Sequence, residues 1–414
     1  MKDNVENIEC NSIPSGSVTS PIGFKASGVH CGLKKVKTDM AIVYSDCPCS
    51  LAAVFTKNVV AAAPVLYGRE MLTSGRAQAV VVNAGNANAC TGEEGYKNAV
   101  KTAELAGREL GIDSKLVMVS STGVIGYQLP MEKIEVGIKK AVAGLSDEGG
   151  SDAAQAIMTT DTMKKEIALQ LTIDGKQVTL GGMSKGSGMI HPNMATMLGF
   201  VTTDANIEAG CLQKMLKEVA DKTFNMITVD GDTSTNDSLF CLANGMADNQ
   251  IIRSESDPAY ADFYQALYQV CRYLAVSIAK DGEGATKLVT VEVSGAATET
   301  DARTIAKSIC GSNLVKTAVF GEDANWGRVL CAAGYSGVQF DPYGVDISMA
   351  SVAGEIMVAK NGAGIDFSEQ EASSILKEKE IIFNVSLREG KAQATAWCCD
   401  FSYDYVRINA DYRS

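Results

Sequence analysis

Hydrophobic positions along the chain come in short runs of two periods, and the two alternate. Residues Ala77 to Asn83 (AQAVVVN) are apolar at nearly every position, the pattern of a strand buried on both faces. This strand delivers Asn83, Asn86 and Asn88 to one end of its sheet. A helical rhythm follows to about Leu110, and Thr91 with Glu94 has the spacing of a capping box at its start. Lys115 to Ser120 reads as the next strand, leading into Ser121-Thr122-Gly123, and Met131 to Leu145 as the next helix. After a short helical piece from Asp152 to Met158, Glu166 to Ile173 and Gln177 to Leu180 alternate around Asp174-Gly175, a hairpin signal. Met197 to Thr203, Met226 to Val229, Leu239 to Ala243 and Leu288 to Val293 read as strands. Ala209 to Lys222, Tyr260 to Lys280, Ala302 to Ser308 and Asn325 to Tyr335 read as helices. From Val345 to Asn409 short strands dominate, with one helix from Ser368 to Lys379. At the other end, residues 1 to 22 read as a loosely ordered arm. Asp39 to Ser45 and Leu51 to Thr56 read as two strands around a turn at Cys47-Pro48. Strands alternating with helices predict an α/β architecture.

Length and composition narrow the function classes. At 414 residues the chain has room for two or more domains, and no low-complexity linker divides it. No apolar run approaches the ~20 residues of a membrane span. The acidic start, MKDNVENIEC, has neither the apolar segment of a signal peptide nor the basic character of a transit peptide, so a cytoplasmic location is expected. A net charge of −12, spread along the chain, disfavours nucleic acid. The 12 cysteines show no zinc or thioredoxin spacing, and reduced thiols are expected. Only His30 and His191 are present, which excludes a multi-histidine metal site. His191 is close enough in sequence to Thr196 to be weighed as a base, but a structural hydrogen bond is the favoured reading.

The glycine-rich stretch from Lys185 gives way to an apolar one at Thr196. On these residues alone Thr196 reads as an ordinary β-branched residue entering a strand. A threonine becomes a nucleophile when cleavage before it frees its own α-amine to serve as base.

KGSGMIHPNMATMLGFVTTDA, from Lys185 to Ala205, resembles the self-cleavage segment of the ArgJ family of arginine-biosynthesis glutamate N-acetyltransferases, also called ornithine acetyltransferases. Seven further segments match in order: NAGNANACTG from Asn83, STGVIG from Ser121, MTTDT from Met158, TVDGDTSTND from Thr228, DGEGATK from Asp281, GEDANWGR from Gly321, and the tail RINADYRS. The resemblance implies a two-domain ArgJ/DmpA-like α/β fold, with sheets layered by helices, self-cleaved between Ala195 and Thr196. Residues 1–195 would form an α chain and 196–414 a β chain, assembled as an α2β2 heterotetramer. Thr196 would be the nucleophile and the Thr122-Gly123 pair the oxyanion hole. Substrate contacts would fall on Thr159, Lys185, Thr196, Glu283, Asn409 and Ser414. Lys185 suits an α-carboxylate, Glu283 an ammonium group, and Asn409 offers both a donor and an acceptor. The MTTDT run leaves more than one threonine available, and Thr159 is favoured.

The reaction implied is ping-pong transfer of acetyl from N-acetylornithine to Thr196 and then to glutamate. No metal or cofactor is required. Some members also take acetyl-CoA as donor, a point no motif here decides. Two other classes compete: a self-processing aminopeptidase or amidohydrolase using water as acceptor, and an uncleaved amino-acid-binding protein without catalysis.

Overall fold

The computed structural model describes residues 10–191 and 197–411. Up to residue 191 the strands are β1 (Asn11–Ser12), β2 (Phe24–Val29), β3 (Met40–Phe55), β4 (Arg76–Asn86), β5 (Val117–Val124), β6 (Lys165–Ile173) and β7 (Lys176–Lys185). Helices α1 (Ala63–Met71), α2 (Gly92–Leu110), α3 (Met131–Ala143) and α4 (Gly150–Ile157) lie among them. Next come β8 (Leu198–Thr203), α5 (Ala209–Lys222), β9 (Ile227–Thr228), β10 (Ser238–Ala243) and α6 (Tyr260–Lys280). The remainder is β11 (Leu288–Ala296), α7 (Glu299–Cys310), α8 (Asn313–Phe320), α9 (Trp326–Gly334), β12 (Asp346–Ser351), β13 (Gly354–Lys360), β14 (Ala363–Gly364), α10 (Glu369–Leu376), β15 (Glu380–Ser386), β16 (Ala392–Cys399) and α11 (Tyr403–Asp411).

Among the described residues the strands form two sheets. One runs β1-β6-β7-β8-β10-β3-β4-β5, with β2 on β3; the other runs β14-β13-β12-β15-β11-β16-β9. Helix α6 lies between them, against β6 and β7 of the first and β9 and β16 of the second. Its Phe263, Leu267, Val270, Leu274 and Ile278 are fully buried in a core that draws on both sheets. This is the expected mixed α/β architecture of sheets layered with helices.

The order of strands bears on chemistry. β7 and β8 are antiparallel neighbours, with Lys185 opposite Leu198. β8 and β10 both belong to the first sheet, while β9, between them in sequence, joins the second. A break between 195 and 196 would therefore fall inside the first sheet, between two adjacent strands.

Several expectations need correction. Cys47-Pro48 is not a turn: β3 runs unbroken from Met40 to Phe55. Its first half pairs with β2 and β4 and its last part with β10, and its register against β4 shifts between Tyr44 and Cys49. A bulge of this kind accommodates a proline that has no N–H to donate. Residues 10–22 of the arm are packed on the fold rather than loose. Ser17 and Val18 are buried, and the Thr202 hydroxyl donates to the Val18 carbonyl at 2.7 Å. Thr91 does stand at the N-cap of α2, but its hydroxyl donates to Asn88 Oδ1 at 2.8 Å and no capping box forms. Three helices were not expected, α1, α8 and α11. α11 has no buried residue, so no apolar stripe marks its period, and the alternation in FSYDYV imitates a strand.

Candidate active site

A cavity of ≈ 290 Å³ opens where seven stretches of chain converge, five of which carry residues expected at the site. Thr122 and Gly123 reach it from the end of β5, Thr159 from the loop after α4, and Lys185 from the end of β7. Glu283 comes from the turn after α6, and Asn409 from α11. All six described residues expected at the site therefore line one cavity. Ala195, Thr196 and Ser414 lie outside the described residues. Thr160 lines the cavity beside Thr159, whereas Thr162 is turned away, its hydroxyl and N–H both given to Asp281.

β4 and β5 pair in parallel, and they fix the oxyanion-hole candidates. Gly123 has φ +132°, and a Cβ there would sit 2.3 Å from the Gly85 carbonyl carbon, so this position accepts only glycine. Thr122 Oγ1 accepts a hydrogen bond from Lys185 Nζ at 3.3 Å. Lys185 is 5 % exposed. Burial pushes its pKa below the ordinary lysine value, and the neighbouring Asp161, Asp237 and Glu283 carboxyls pull the other way.

Beneath the cavity lies a buried charge cluster the sequence reading did not single out. Lys165 Nζ, wholly buried, bridges Asp161 Oδ1 at 2.7 Å and Asp281 Oδ2 at 2.5 Å. Asp161 also accepts the N–H of Gly186 at 2.7 Å and that of Thr159 at 2.9 Å, which orients both flanks of the cavity. Burial alone would raise the Asp161 pKa; the Lys185 and Lys165 cations outweigh it and hold the carboxyl at about 2. Lys34 Nζ caps the end of α4, donating to the carbonyls of Met158 at 2.6 Å and Ala156 at 3.2 Å. Asp161 and Asp281 stand inside the MTTDT and DGEGATK segments, so the signal was present without a role attached.

On the other wall Asn409 Nδ2 donates to Glu283 Oε2 at 2.8 Å. Tyr405, one turn earlier on α11, donates to Asp230 Oδ2 at 3.2 Å. Asp230 also accepts the N–H groups of Met189 at 2.6 Å and Ile190 at 2.9 Å. On the far side of residues 192–196, the Met197 N–H is held by Asp237 Oδ1 at 2.5 Å. Both flanks of that segment are thus pinned by carboxylates from one stretch, Asp230 to Asp237. Within it Asn236 Nδ2 donates to the carbonyls of Ala87 at 2.6 Å and Ser121 at 2.8 Å, tying it to the ends of β4 and β5. The expected asparagines build rather than line the site. Asn83 accepts from Ser121, Asn86 anchors the Tyr127 and Gln128 carbonyls, and Asn88 holds the start of α2. His191 Nδ1 lies 3.0 Å from Thr228 Oγ1, and burial lowers its pKa to about 4, a neutral structural imidazole.

Among the described residues no cluster of His, Cys, Asp and Glu is placed to hold a metal, and no helix is long and apolar enough to cross a membrane.

Comparison with known proteins places the chain among relatives that share one name. The arginine biosynthesis bifunctional protein ArgJ of Symbiobacterium thermophilum is 54% identical over 403 residues, covering 97% of this chain and 99% of the relative. The protein of the same name from Caldanaerobacter subterraneus subsp. tengcongensis is 53% identical over 402 residues, covering 97% and 100%. A crystal structure of arginine biosynthesis bifunctional protein argJ from Bacillus halodurans is 49% identical, with a TM-score of 0.50. It covers 52% of this chain and 100% of its own. The model of the ArgJ family matches residues 25–414, from the first buried strand through the helix that carries Asn409, and the chain belongs to that family.

Proposed function

We propose that the protein is a glutamate N-acetyltransferase of arginine biosynthesis, moving acetyl from N-acetylornithine to glutamate through an acetyl-Thr196 intermediate. The observation that carries this reading is the meeting of Lys185, Thr122, Gly123, Thr159, Glu283 and Asn409 around one cavity beside the Met197 N–H. A lysine at one wall and a glutamate at another match the opposite charges of an amino-acid substrate. The α-carboxylate would take the buried Lys185 as its counter-ion, and Glu283 would take an ammonium group.

The first event is self-cleavage. The Thr196 hydroxyl attacks the Ala195 carbonyl, the acyl group moves from nitrogen to oxygen, and water opens the ester. The α-amine so released has an intrinsic pKa of ~7.7–8.0, and its neutral fraction serves as base for its own hydroxyl. Thr196 then attacks the acetyl carbonyl of N-acetylornithine, with Thr122 and Gly123 meeting the developing oxyanion. Ornithine leaves, and the amine of glutamate takes the acetyl group from Thr196. The half-length match of the Bacillus halodurans crystal chain supports the split, because residues 196–414 are just over half of this chain. The word bifunctional in the relatives' names supports acetyl-CoA as a second donor. The cleaved chains are proposed to stay together as an α2β2 heterotetramer.

The test is incubation of purified protein with N-acetylornithine, with and without glutamate. Ornithine and N-acetylglutamate released in equal amounts only with glutamate is the expected result. Acetate released at the same rate without glutamate would replace the transferase by a hydrolase.

A further inference from the structure

Lys34 stands in the bend between β2 and β3 and does not line the cavity, yet its side chain reaches the site from behind. Its Nζ donates to three carbonyls: Met158 at 2.6 Å, Thr38 at 2.8 Å and Ala156 at 3.2 Å. Three donations are all that an ammonium group has. The stem passes β4 beside the oxyanion pair: a Cβ on Gly85 would lie 3.4 Å from Lys34 Cγ, and Gly85 is the register partner of Gly123. The root of the side chain is fixed as well. Fully buried Asp39 accepts the N–H groups of Cys31 at 2.6 Å, Lys34 at 2.9 Å and Gly32 at 3.1 Å.

The Met158 carbonyl belongs to the peptide bond that enters Thr159. The N–H of the same peptide donates to Asp161 Oδ2 at 2.9 Å. One peptide group is therefore held at its oxygen by a cation and at its nitrogen by a carboxylate. The peptide is planar, so the two contacts fix its plane and with it the direction in which Thr159 leaves the chain. Thr159 needs such a hold, because it lines the cavity from a bend that belongs to no helix or strand. Charge-assisted contacts are also stronger than the neutral bonds of an ordinary loop.

We infer that Lys34 is a positioning residue for acetyl transfer: paired with Asp161, it clamps the Met158–Thr159 peptide and so aims Thr159 at the substrate. This rests on the reading of Thr159 as a substrate contact given above. The clamp has a pH limit. Burial lowers the Lys34 pKa to about 8. The charged groups facing it are Asp39 and Lys37 from its own loop, Lys185 from β7 and Asp161 from the loop after α4; the two carboxylates resist the shift and the two lysines add to it. Above that pH a neutral amine has two protons for three carbonyls, and the clamp loosens.

A double-mutant cycle tests this. Lys34→Met keeps the stem and removes the ammonium. KM for N-acetylornithine should rise at least about tenfold near pH 7, the scale of a lost charged hydrogen bond, with kcat within about twofold. Thr159→Ala should raise KM by a similar factor. Adding Lys34→Met to it should change KM by no more than about twofold, since Lys34 acts through Thr159. Effects that multiply in the double variant overturn the inference, as does a Lys34→Met protein with wild-type KM; either leaves the functional reading standing. A wild-type protein that transfers no acetyl overturns both. Should Lys34→Met fail to fold, NMR of wild type decides. Met158–Thr159 is the only Met–Thr peptide in the sequence, so 13C-carbonyl methionine with 15N-threonine marks it alone. Its carbonyl shift should titrate with a midpoint at about pH 8; a flat shift through that pH overturns the proposal.

Discussion

Lys185 Nζ and Thr122 Oγ1 are 3.3 Å apart, although β7 and β5, the strands that carry them, have β8, β10, β3 and β4 between them. Strands in a flat sheet lie about 4.8 Å apart, so five steps would separate these two by roughly 24 Å. A lysine side chain does not span that distance. The sheet must turn on itself, and between the two strands pairing is interrupted at the register shifts of β3 against β4 at Tyr44/Cys49 and of β4 against β5 at Gly85/Asn86.

Thr122→Ala removes the hydroxyl that accepts from Lys185 and keeps the backbone of β5. Folding should be retained, while self-cleavage and kcat fall by up to ~10²-fold, the scale of one lost oxyanion donor. Steady-state kinetics and the time course of splitting check it. A normal rate would remove Thr122 from the chemistry.

Glu283→Gln preserves an oxygen for Asn409 Nδ2 but not the negative charge. KM for N-acetylornithine should rise by about 10–100-fold, the range of a charged hydrogen bond, with kcat changed much less. An unchanged KM would show that the ammonium is held elsewhere.

Lys165→Met leaves Asp161 and Asp281 buried and facing each other without their cation. Breaking a buried ion pair by removing one partner costs about 3–5 kcal/mol, and urea unfolding should show that loss. The loop bearing Thr159 and the end of β7 bearing Lys185 hang on the same carboxylate, so KM should rise even in protein that remains folded. A variant as stable as wild type would contradict the role given to the cluster.

His191 should make the protein acid-sensitive. Its pKa is about 4 in the folded chain against 6.5 for an ordinary histidine. Between those values the unfolded chain holds the extra proton, so stability falls as pH drops from 6.5 towards 4. His191→Gln should flatten that part of the curve of melting temperature against pH. Two parallel curves would mean that the imidazole titrates normally.

How far these features were legible from sequence differs by element. α5 and α6 run from Ala209 to Lys222 and from Tyr260 to Lys280 as expected, because their apolar stripes face a core. The hairpin at Asp174-Gly175 is formed, with φ of +51° and +74° at the two turn residues. β3 was misread because Cys47-Pro48 has the local chemistry of a turn and only its partners keep it extended. α11 was misread because an exposed helix needs no stripe. The cavity residues came from segments between 122 and 409 whose convergence no periodicity encodes; a resemblance of motifs supplied them. Asp161, Lys165, Asp230, Asn236 and Asp237 went unassigned because their work is to hold other residues, and that shows only in hydrogen bonds.

N-terminal sequencing of the purified, active protein tests the central claim most directly. The account predicts a second polypeptide beginning Thr-Met-Leu-Gly, at Thr196, in equal amount to the first. Active protein that yields only the original N-terminus would contradict it.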